Sequence, residues 1–289
     1  MELKVVFIAG LGRSGTTLLA RLLGCVPGFV NVGEAARYLW NERMWARLPT
    51  CGCGAPVLKC PFWAEIAASI HEEERSKATR ALRLRHVPGM LLGWRRPDPA
   101  LTHSVTRVLA RIAGRAGAEV IVDSSKHPAN ALLLAGVPGV ELHVVHLIRD
   151  PRAVLASWSR PKGYLRRHSG PRVMALWLAL NPIAELLRPA AASYSRLRYE
   201  ALVASPEGTL RALLQRVGRP GEALPFLASG KARLARDHAL AGNPEMLDEG
   251  EVEIRPATWT MPPVPAALAS MAALPLLLRY GYRVWARSG

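Results

Sequence analysis

The sequence predicts an α/β fold in which helices cover both faces of a parallel sheet. Three short runs rich in β-branched and other apolar residues are each followed by a segment with helical spacing: KVVFIA at 4–9, AEVIVDSS at 118–125 and VELHVVHLIRD at 140–150. Strands that alternate with helices in this way are typical of doubly wound parallel sheets. The 289 residues are predicted to form one domain, 1–289, in which the loops after the three strands converge on one crevice.

The loop after the first strand, GLGRSGTTLL at 10–19, has the GxxxxG spacing of a Walker loop followed by a hydroxyl residue. Backbone N–H groups of a glycine-rich turn that opens a helix bind anions. The lysine of a Walker loop is replaced by Thr16, and a cation appears instead as Arg13, whose guanidinium suits a phosphate or sulfate oxygen. The predicted phosphate-binding residues are Gly12, Arg13, Ser14, Gly15, Thr16 and Thr17.

Two segments between and after the strands could cover this crevice. Residues 64–117 have an arginine-rich helical pattern, with a PDPA break at 97–100, and are predicted to form a helical cap. The basic loop RPKGYLRRHSGPR at 160–172 is a lid or a solvated linker. Farther on, 196–218 is predicted to be a strand end followed by a helix that begins near Ser205 and Pro206.

The second strand carries the main alternative. VIVD, ending at Asp123, is similar to a Walker B strand, which would hold magnesium in a P-loop kinase that uses ATP. The missing loop lysine weakens this alternative, which remains the second hypothesis.

The charge of the chain favours anionic ligands without choosing among them. Basic residues outnumber acidic ones 38 to 22, for a formal charge of +16, but only six are lysines, so much of the excess is compositional. Without a nucleic-acid-binding motif, we expect no nucleic-acid partner, although a non-enzymatic polyanion-binding module is a third hypothesis. The N-terminus has no secretion signal pattern, and no apolar run is long enough to span a bilayer, which predicts a cytoplasmic protein and leaves peripheral membrane contact open.

Three of the four cysteines form a cluster, CGCGAPVLKC, which contains Cys51, Cys53 and Cys60. A CxC-x6-C pattern could hold zinc with a fourth ligand from elsewhere, but structural zinc sites usually have paired CxxC spacing. Reduced thiols are therefore favoured, and no metal is expected.

Four segments together resemble the sulfotransferases that use 3′-phosphoadenosine 5′-phosphosulfate (PAPS), particularly bacterial members and tyrosylprotein sulfotransferases. They are RSGTTLL at 13–19, IRDPRAVLASW at 148–158, RYEALVASPEGTL at 198–210 and HALAGNP at 238–244. The resemblance implies a sulfotransferase fold and transfer of a sulfuryl group from PAPS to a hydroxyl on a small molecule, lipid or glycan. The last segment departs from the family at Glu245 and Met246, which makes a cofactor contact there doubtful.

The resemblance also implies roles for individual residues. In VNVGEAARYL, Glu34 corresponds to a catalytic base, which a neighbouring Arg13 would keep ionised, and Lys126 corresponds to a lysine beside the transferred group. Arg149 and Ser157 are about two helical turns apart, so that both could bind the 3′-phosphate. Tyr199 corresponds to a tyrosine that contacts the adenosine.

Overall fold

The computed structural model describes residues 3–45, 50–160, 168–241, 244–254 and 258–285. Its centre is a five-stranded sheet in the order β2-β3-β1-β4-β5, and every pairing in it is parallel. The strands are β1 (Leu3–Ala9), β2 (Phe29–Gly33), β3 (Val120–Asp123), β4 (Val140–Ile148) and β5 (Ser193–Arg198). A separate antiparallel sheet contains β6 (Leu227–Ala228), β7 (Lys231–Leu234) and β8 (Gly250–Glu253).

Helices cover both faces of the central sheet, as the sequence predicts. Their bounds are α1 (Thr16–Gly24), α2 (Ala35–Leu39), α3 (Glu42–Trp45), α4 (Trp63–Ala68), α5 (Glu72–Ala81), α6 (Val87–Leu91), α7 (Pro99–Ala116), α8 (Pro128–Ala135), α9 (Pro151–Ser159), α10 (Gly170–Glu185), α11 (Tyr199–Ala204), α12 (Pro206–Arg216), α13 (Pro263–Ala272) and α14 (Leu274–Arg279). The three predicted strand-loop-helix units are thereby confirmed.

The alternation of side chains along β1 explains why helices are needed on both faces. Val5 and Phe7 belong to one buried apolar cluster, which includes residues of α4, α7 and α8. Val6 and Ile8 point the other way, into a second cluster with residues of α1 and α12. Since successive strand side chains point to opposite faces, a strand that is apolar throughout must be buried on both.

One strand of the central sheet, β2, was not predicted, and another, β5, was predicted only in part. β2 has the sequence FVNVG, in which asparagine and glycine weaken the strand signal. β5, SYSRLR, was expected only as a strand end, because its polar pattern is that of an edge strand with exposed positions. Both lie at the edges of the sheet, where pairing on one side suffices.

The region 64–117 is helical, and its break is confirmed. Asp98 precedes α7 and its Oδ1 accepts a hydrogen bond from the backbone N–H of Ala100 at 2.9 Å, which caps the helix. The apolar residues of α7, including Val105 and Ile112, pack on the face of the sheet. A role for this region as a cap over the site stays a prediction, and most of the predicted lid, 161–167, lies outside the described residues.

A buried ion pair anchors the loop after β4. Arg152 is 1% exposed and its guanidinium binds Asp150 at 2.6 Å. The same guanidinium donates to the carbonyl oxygens of Arg283 and Val284, each at 2.8 Å, and so joins this loop to the C-terminal residues. The pair therefore holds the segment that begins with Arg149.

None of the described helices combines the length and apolar character that a bilayer-spanning segment requires.

Candidate active site

The loops that follow the parallel strands meet at one edge of the sheet. Arg149, which follows β4, donates from Nη1 to the carbonyl oxygen of Arg13, in the loop after β1, at 3.1 Å. Lys126, which follows β3, binds Glu34, which follows β2, with 2.7 Å between Nζ and Oε1. The structure thus brings four of the predicted residues together in two contacting pairs, Arg13 with Arg149 and Glu34 with Lys126.

The loop after β1 has the form of an anion site. Gly15, the N-cap residue of α1, has φ of 92° and, as a glycine, supplies no side-chain cap to the first turn of the helix. Ser14 and Thr16 are buried around it, while Thr17 is half-buried. Uncapped N–H groups and the positive end of the helix dipole together favour a negatively charged group at this position.

Tyr199 lies directly against this loop. A Cβ atom added to Gly15 would be 2.2 Å from Cδ2 of the Tyr199 ring, so that only glycine fits there. On the ring lies the Arg149 guanidinium, whose central carbon is 4.4 Å from the ring centroid. Burial raises the pKa of Tyr199 above its ordinary value, which keeps the side chain a neutral phenol.

One nitrogen of the Arg149 guanidinium is available for a hydrogen bond to a ligand. Its Nε is buried and has no hydrogen-bond partner among the described residues. Because an unpaired buried donor is costly, this atom is suited to an acceptor that comes from a ligand. Ser157, expected to share that ligand, is half-buried on α9, and its role stays a prediction.

Arg13 is held by an aromatic residue that the sequence analysis did not single out. Its side chain is 5% exposed, and its guanidinium carbon lies 5.2 Å from the centroid of a Trp158 ring. Trp158 also donates from Nε1 to the carbonyl oxygen of Gly12 at 3.3 Å. Trp158 is the last residue of the segment IRDPRAVLASW, and that position beside Ser157 is a usable signal.

Backbone contacts fix the position of Glu34. Its N–H donates to the carbonyl oxygen of Leu240 at 2.7 Å, and the N–H of Leu240 donates to Val32 at 3.0 Å. Gly33 has φ of 64°, and a Cβ there would lie 2.6 Å from the Leu240 oxygen, so glycine permits this close approach. Because Gly33 pairs with Asp123 across β2 and β3, Glu34 lies beside the loop that contains Lys126.

Two cations bind the Glu34 carboxylate. Besides Lys126, Arg37 lies at 3.0 Å from Oε2. Burial alone would raise the pKa of Glu34, but the charges of Lys126 and Arg37 outweigh it and lower the pKa below 4.5. Arg13 was expected to keep Glu34 ionised, whereas these two residues are the cations bonded to it. Arg37 was missed, although its i,i+3 spacing from Glu34 is a usable signal.

Asp123, the metal ligand of the kinase alternative, holds the turn before Lys126. Its Oδ1 accepts a hydrogen bond from the backbone N–H of Ser125 at 2.6 Å. Burial raises the pKa of Asp123 to about 6. Lys126 itself has φ of 64°, a conformation unusual for a lysine, and it also donates to the carbonyl oxygen of Ser124 at 2.8 Å. The turn therefore aims the ammonium at Glu34.

Comparisons with known proteins agree with this architecture. A family model described as "Sulfotransferase family" matches residues 5–223. A comparison with curated proteins gives no match.

Two solved structures have a similar fold over nearly the whole chain. One is the sulfotransferase domain from the Synechococcus PCC 7002 olefin synthase, at 21% identity and a TM-score of 0.58, covering 97% of this chain and 95% of that one. The other is the sulfotransferase domain from the curacin biosynthetic pathway, at 17% identity and a TM-score of 0.59, covering 97% of this chain and 98% of that one. The predicted fold class is confirmed.

We expect Gly15→Ala to reduce both stability and anion binding, because the new Cβ would overlap the Tyr199 ring and because alanine is strained at positive φ by about 1–2 kcal/mol. The matched control is Gly114→Ala, inside α7, where an added Cβ meets no atom within 4 Å and helix propensity favours alanine by up to about 1 kcal/mol. Urea unfolding and isothermal calorimetry measure the two effects. Equal stability and equal anion affinity of the two variants would contradict the contact between Gly15 and the Tyr199 ring.

Proposed function

The chain belongs to the sulfotransferase family, and we propose that it moves the sulfuryl group of PAPS to a hydroxyl of an acceptor by in-line transfer. In this reaction PAPS supplies the electrophilic sulfur and leaves as 3′,5′-adenosine bisphosphate. The single observation that supports the proposal best is that two cationic residues, Arg13 and Arg149, meet beside the start of α1. The family match does not support the kinase alternative.

The residues fit the donor at two points. The turn of Gly12 to Gly15 and the first N–H groups of α1 suit the 5′-phosphosulfate. The buried Nε of Arg149 suits a 3′-phosphate, with Ser157 on the following helix. Tyr199, which packs between the loop and Arg149, is in a position to contact the adenosine.

Glu34 is proposed as the base that accepts the hydroxyl proton. In the structure its carboxylate is bound to two cations, which makes it a weak base. If Lys126 turned toward the sulfuryl oxygens, Glu34 would lose one cationic partner and its pKa would rise. The ammonium of Lys126 would then stabilise the developing charge while the proton moves to Glu34.

Arg13 is proposed to stabilise charge on the leaving phosphate. Its stacking against Trp158 orients the guanidinium before any ligand binds, so that little reorganisation is required. The proposed transfer requires no metal ion among these residues.

The acceptor is proposed to be a hydroxyl compound with an apolar part. A cavity of about 370 Å³ adjoins Trp158, and its walls are mostly apolar. Met174, Leu268 and Ala272 are among the residues that line it. A small molecule or the chain of a lipid would suit such a cavity better than a fully polar sugar.

Ligand-dependent thermal unfolding tests the identity of the donor. We expect 3′,5′-adenosine bisphosphate at about 100 times its dissociation constant to stabilise the protein by about 2.7 kcal/mol, whereas ATP with magnesium should have little effect. Stabilisation by ATP and magnesium alone would overturn the PAPS assignment and favour a kinase.

Arg149→Ala tests the site of the 3′-phosphate. Loss of hydrogen bonds to a charged group should weaken binding of 3′,5′-adenosine bisphosphate roughly 10- to 100-fold. Binding of 5′-AMP, which has no 3′-phosphate, should change little. Arg211→Ala on α12, an exposed arginine paired with Glu207, is the control and should leave both affinities unchanged. Equal losses for the two nucleotides would exclude the proposed contact.

Glu34→Gln tests the base. We expect kcat to fall by about 10²- to 10⁴-fold while the affinity for the bisphosphate is kept. Because Lys126 and Arg37 lower the pKa of Glu34 in the free protein, this group should decrease kcat/KM of the unmodified protein only at pH values more acidic than those at which an ordinary glutamate titrates. Glu207→Gln, exposed on α12, is the matched control. A turnover rate unchanged by Glu34→Gln would remove the residue from this role.

A further inference from the structure

Outside the proposed active site, four side chains of metal-binding type from two parts of the chain converge. They are Cys51, Cys53, Cys60 and His238, and their ligand atoms all lie within 4.8 Å of one another. Cys51 and Cys60 are completely buried, whereas Cys53 and His238 are half-buried. The fourth ligand, which the cysteine pattern alone lacked, is therefore a histidine 178 residues after Cys60.

Four of the six distances between the ligand atoms are close to those of a tetrahedral zinc centre, and the other two are at most 4.8 Å. With zinc–sulfur bonds of about 2.3 Å and zinc–nitrogen bonds of about 2.0–2.1 Å, tetrahedral angles place two sulfurs about 3.8 Å apart and a sulfur and a nitrogen about 3.5 Å apart. The Sγ of Cys60 lies 3.6 Å from that of Cys51 and 3.7 Å from that of Cys53. The Nδ1 of His238 lies 3.3 Å from Sγ of Cys60 and 3.7 Å from Sγ of Cys51.

The surrounding residues hold the ligands in this arrangement. The imidazole of His238 stacks on Phe62 with 5.0 Å between ring centroids and 9° between planes. The backbone N–H of Gly52 donates to the carbonyl oxygen of Ala239 at 2.9 Å. A Cβ at Gly52 would lie 2.7 Å from the backbone oxygen of Asp237, so glycine lets the two segments approach. Packing and backbone hydrogen bonds thus fix the positions of the ligand residues.

We propose that Cys51, Cys53, Cys60 and the Nδ1 of His238 bind one structural zinc ion. Three thiolates and one imidazole form a ligand set that is typical of zinc, and four protein ligands leave no position open for a substrate. Binding of Zn²⁺ releases the three thiol protons, so that the occupied centre carries a net charge of −1.

This centre would support the segment that positions Glu34. Leu240 follows His238 by two residues and forms bridges both to Gly33, beside Glu34, and to Cys51. The same residue accepts the hydrogen bond from the N–H of Glu34. A zinc ion would therefore join the cysteine loop to the backbone that holds the proposed base, without contacting the reacting groups.

Metal analysis of the full chain tests the proposal. Protein expressed with zinc and iron both available, and purified under reducing conditions without a metal-affinity tag or chelator, should contain about one zinc per chain by plasma mass spectrometry. Cys53→Ser, which changes the least buried cysteine ligand, should abolish stoichiometric zinc. Cys25→Ser changes the fourth cysteine, half-buried at the end of α1, and should keep it.

Cobalt substitution provides a second measurement that does not depend on a variant folding. The unmodified protein loaded with Co²⁺ should show the strong visible absorption of tetrahedral cobalt together with thiolate-to-cobalt charge transfer. Three results would overturn the proposal: absence of both zinc and this spectrum, iron in place of zinc, or an intact mass that reveals a disulfide among the three cysteines. Equal zinc content in Cys53→Ser and Cys25→Ser would also overturn it.

Hydrogen exchange tests the link to Glu34. Removal of zinc by a chelator should accelerate exchange at the amides of Glu34 and Leu240, while that of Val145, in the buried strand β4, stays protected. Unchanged exchange at Glu34 and Leu240 would exclude the supporting role. None of these measurements uses sulfotransferase activity, so their outcome is independent of the donor assignment.

Discussion

The parallel pairing of β1 with β3 on one side and β4 on the other is the constraint on which the site depends. Parallel strands end at the same edge of a sheet, and the loops that follow them must therefore lie side by side. Arg13, Lys126 and Arg149 each follow one of these three strands. Burial of the strands on both faces makes their register insensitive to changes at the surface, so the positions of the cations are set by the core.

Close contacts of the backbone make this edge rigid. Gly15 lets the Tyr199 ring lie against the loop after β1, and Gly33 lets Leu240 approach the end of β2. At both positions a side chain would separate the elements. Arg149, stacked on Tyr199, and Arg13, stacked on Trp158, are consequently oriented before a ligand arrives. Such preorganisation is what electrostatic stabilisation of a transition state requires, because little energy is then spent on reorienting the charges.

The segment 237–240 connects the two polar clusters of the molecule. On one side the carbonyl oxygen of Leu240 holds the backbone of Glu34. On the other side Ala239 and His238 contact the loop that contains Cys51 and Cys60. Asp237 also accepts a hydrogen bond from the Asn31 side chain, at 2.7 Å, which attaches the segment to β2. The segment 237–240 forms neither helix nor strand, and it is thus held by three sets of contacts. The proposed zinc ion would strengthen the contact with the cysteine loop.

Short-range sequence patterns predicted much of the fold and of the candidate site. The apolar runs that became β1, β3 and β4 identified the sheet and its helices, because burial on both faces leaves a continuous signal. The glycine spacing around Arg13 predicted the tight turn before α1, because such a turn depends on neighbouring residues. The segments around Arg13, Arg149 and Tyr199, together with 238–244, pointed to the sulfotransferase family, although a role for each residue remains a prediction.

Contacts between distant residues were decided only by the tertiary structure. β2 and β5 carry weak signals, because asparagine and glycine interrupt β2 and because β5 has the polar, partly exposed pattern of an edge strand. The ionisation of Glu34 depends on Lys126, 92 residues away, as well as on nearby Arg37. His238 completes the cysteine cluster from the far end of the chain, and no spacing rule connects it to Cys60. Local sequence patterns determine how a segment folds. The charges around a residue and the geometry of a set of metal ligands depend instead on which segments the sheet brings together.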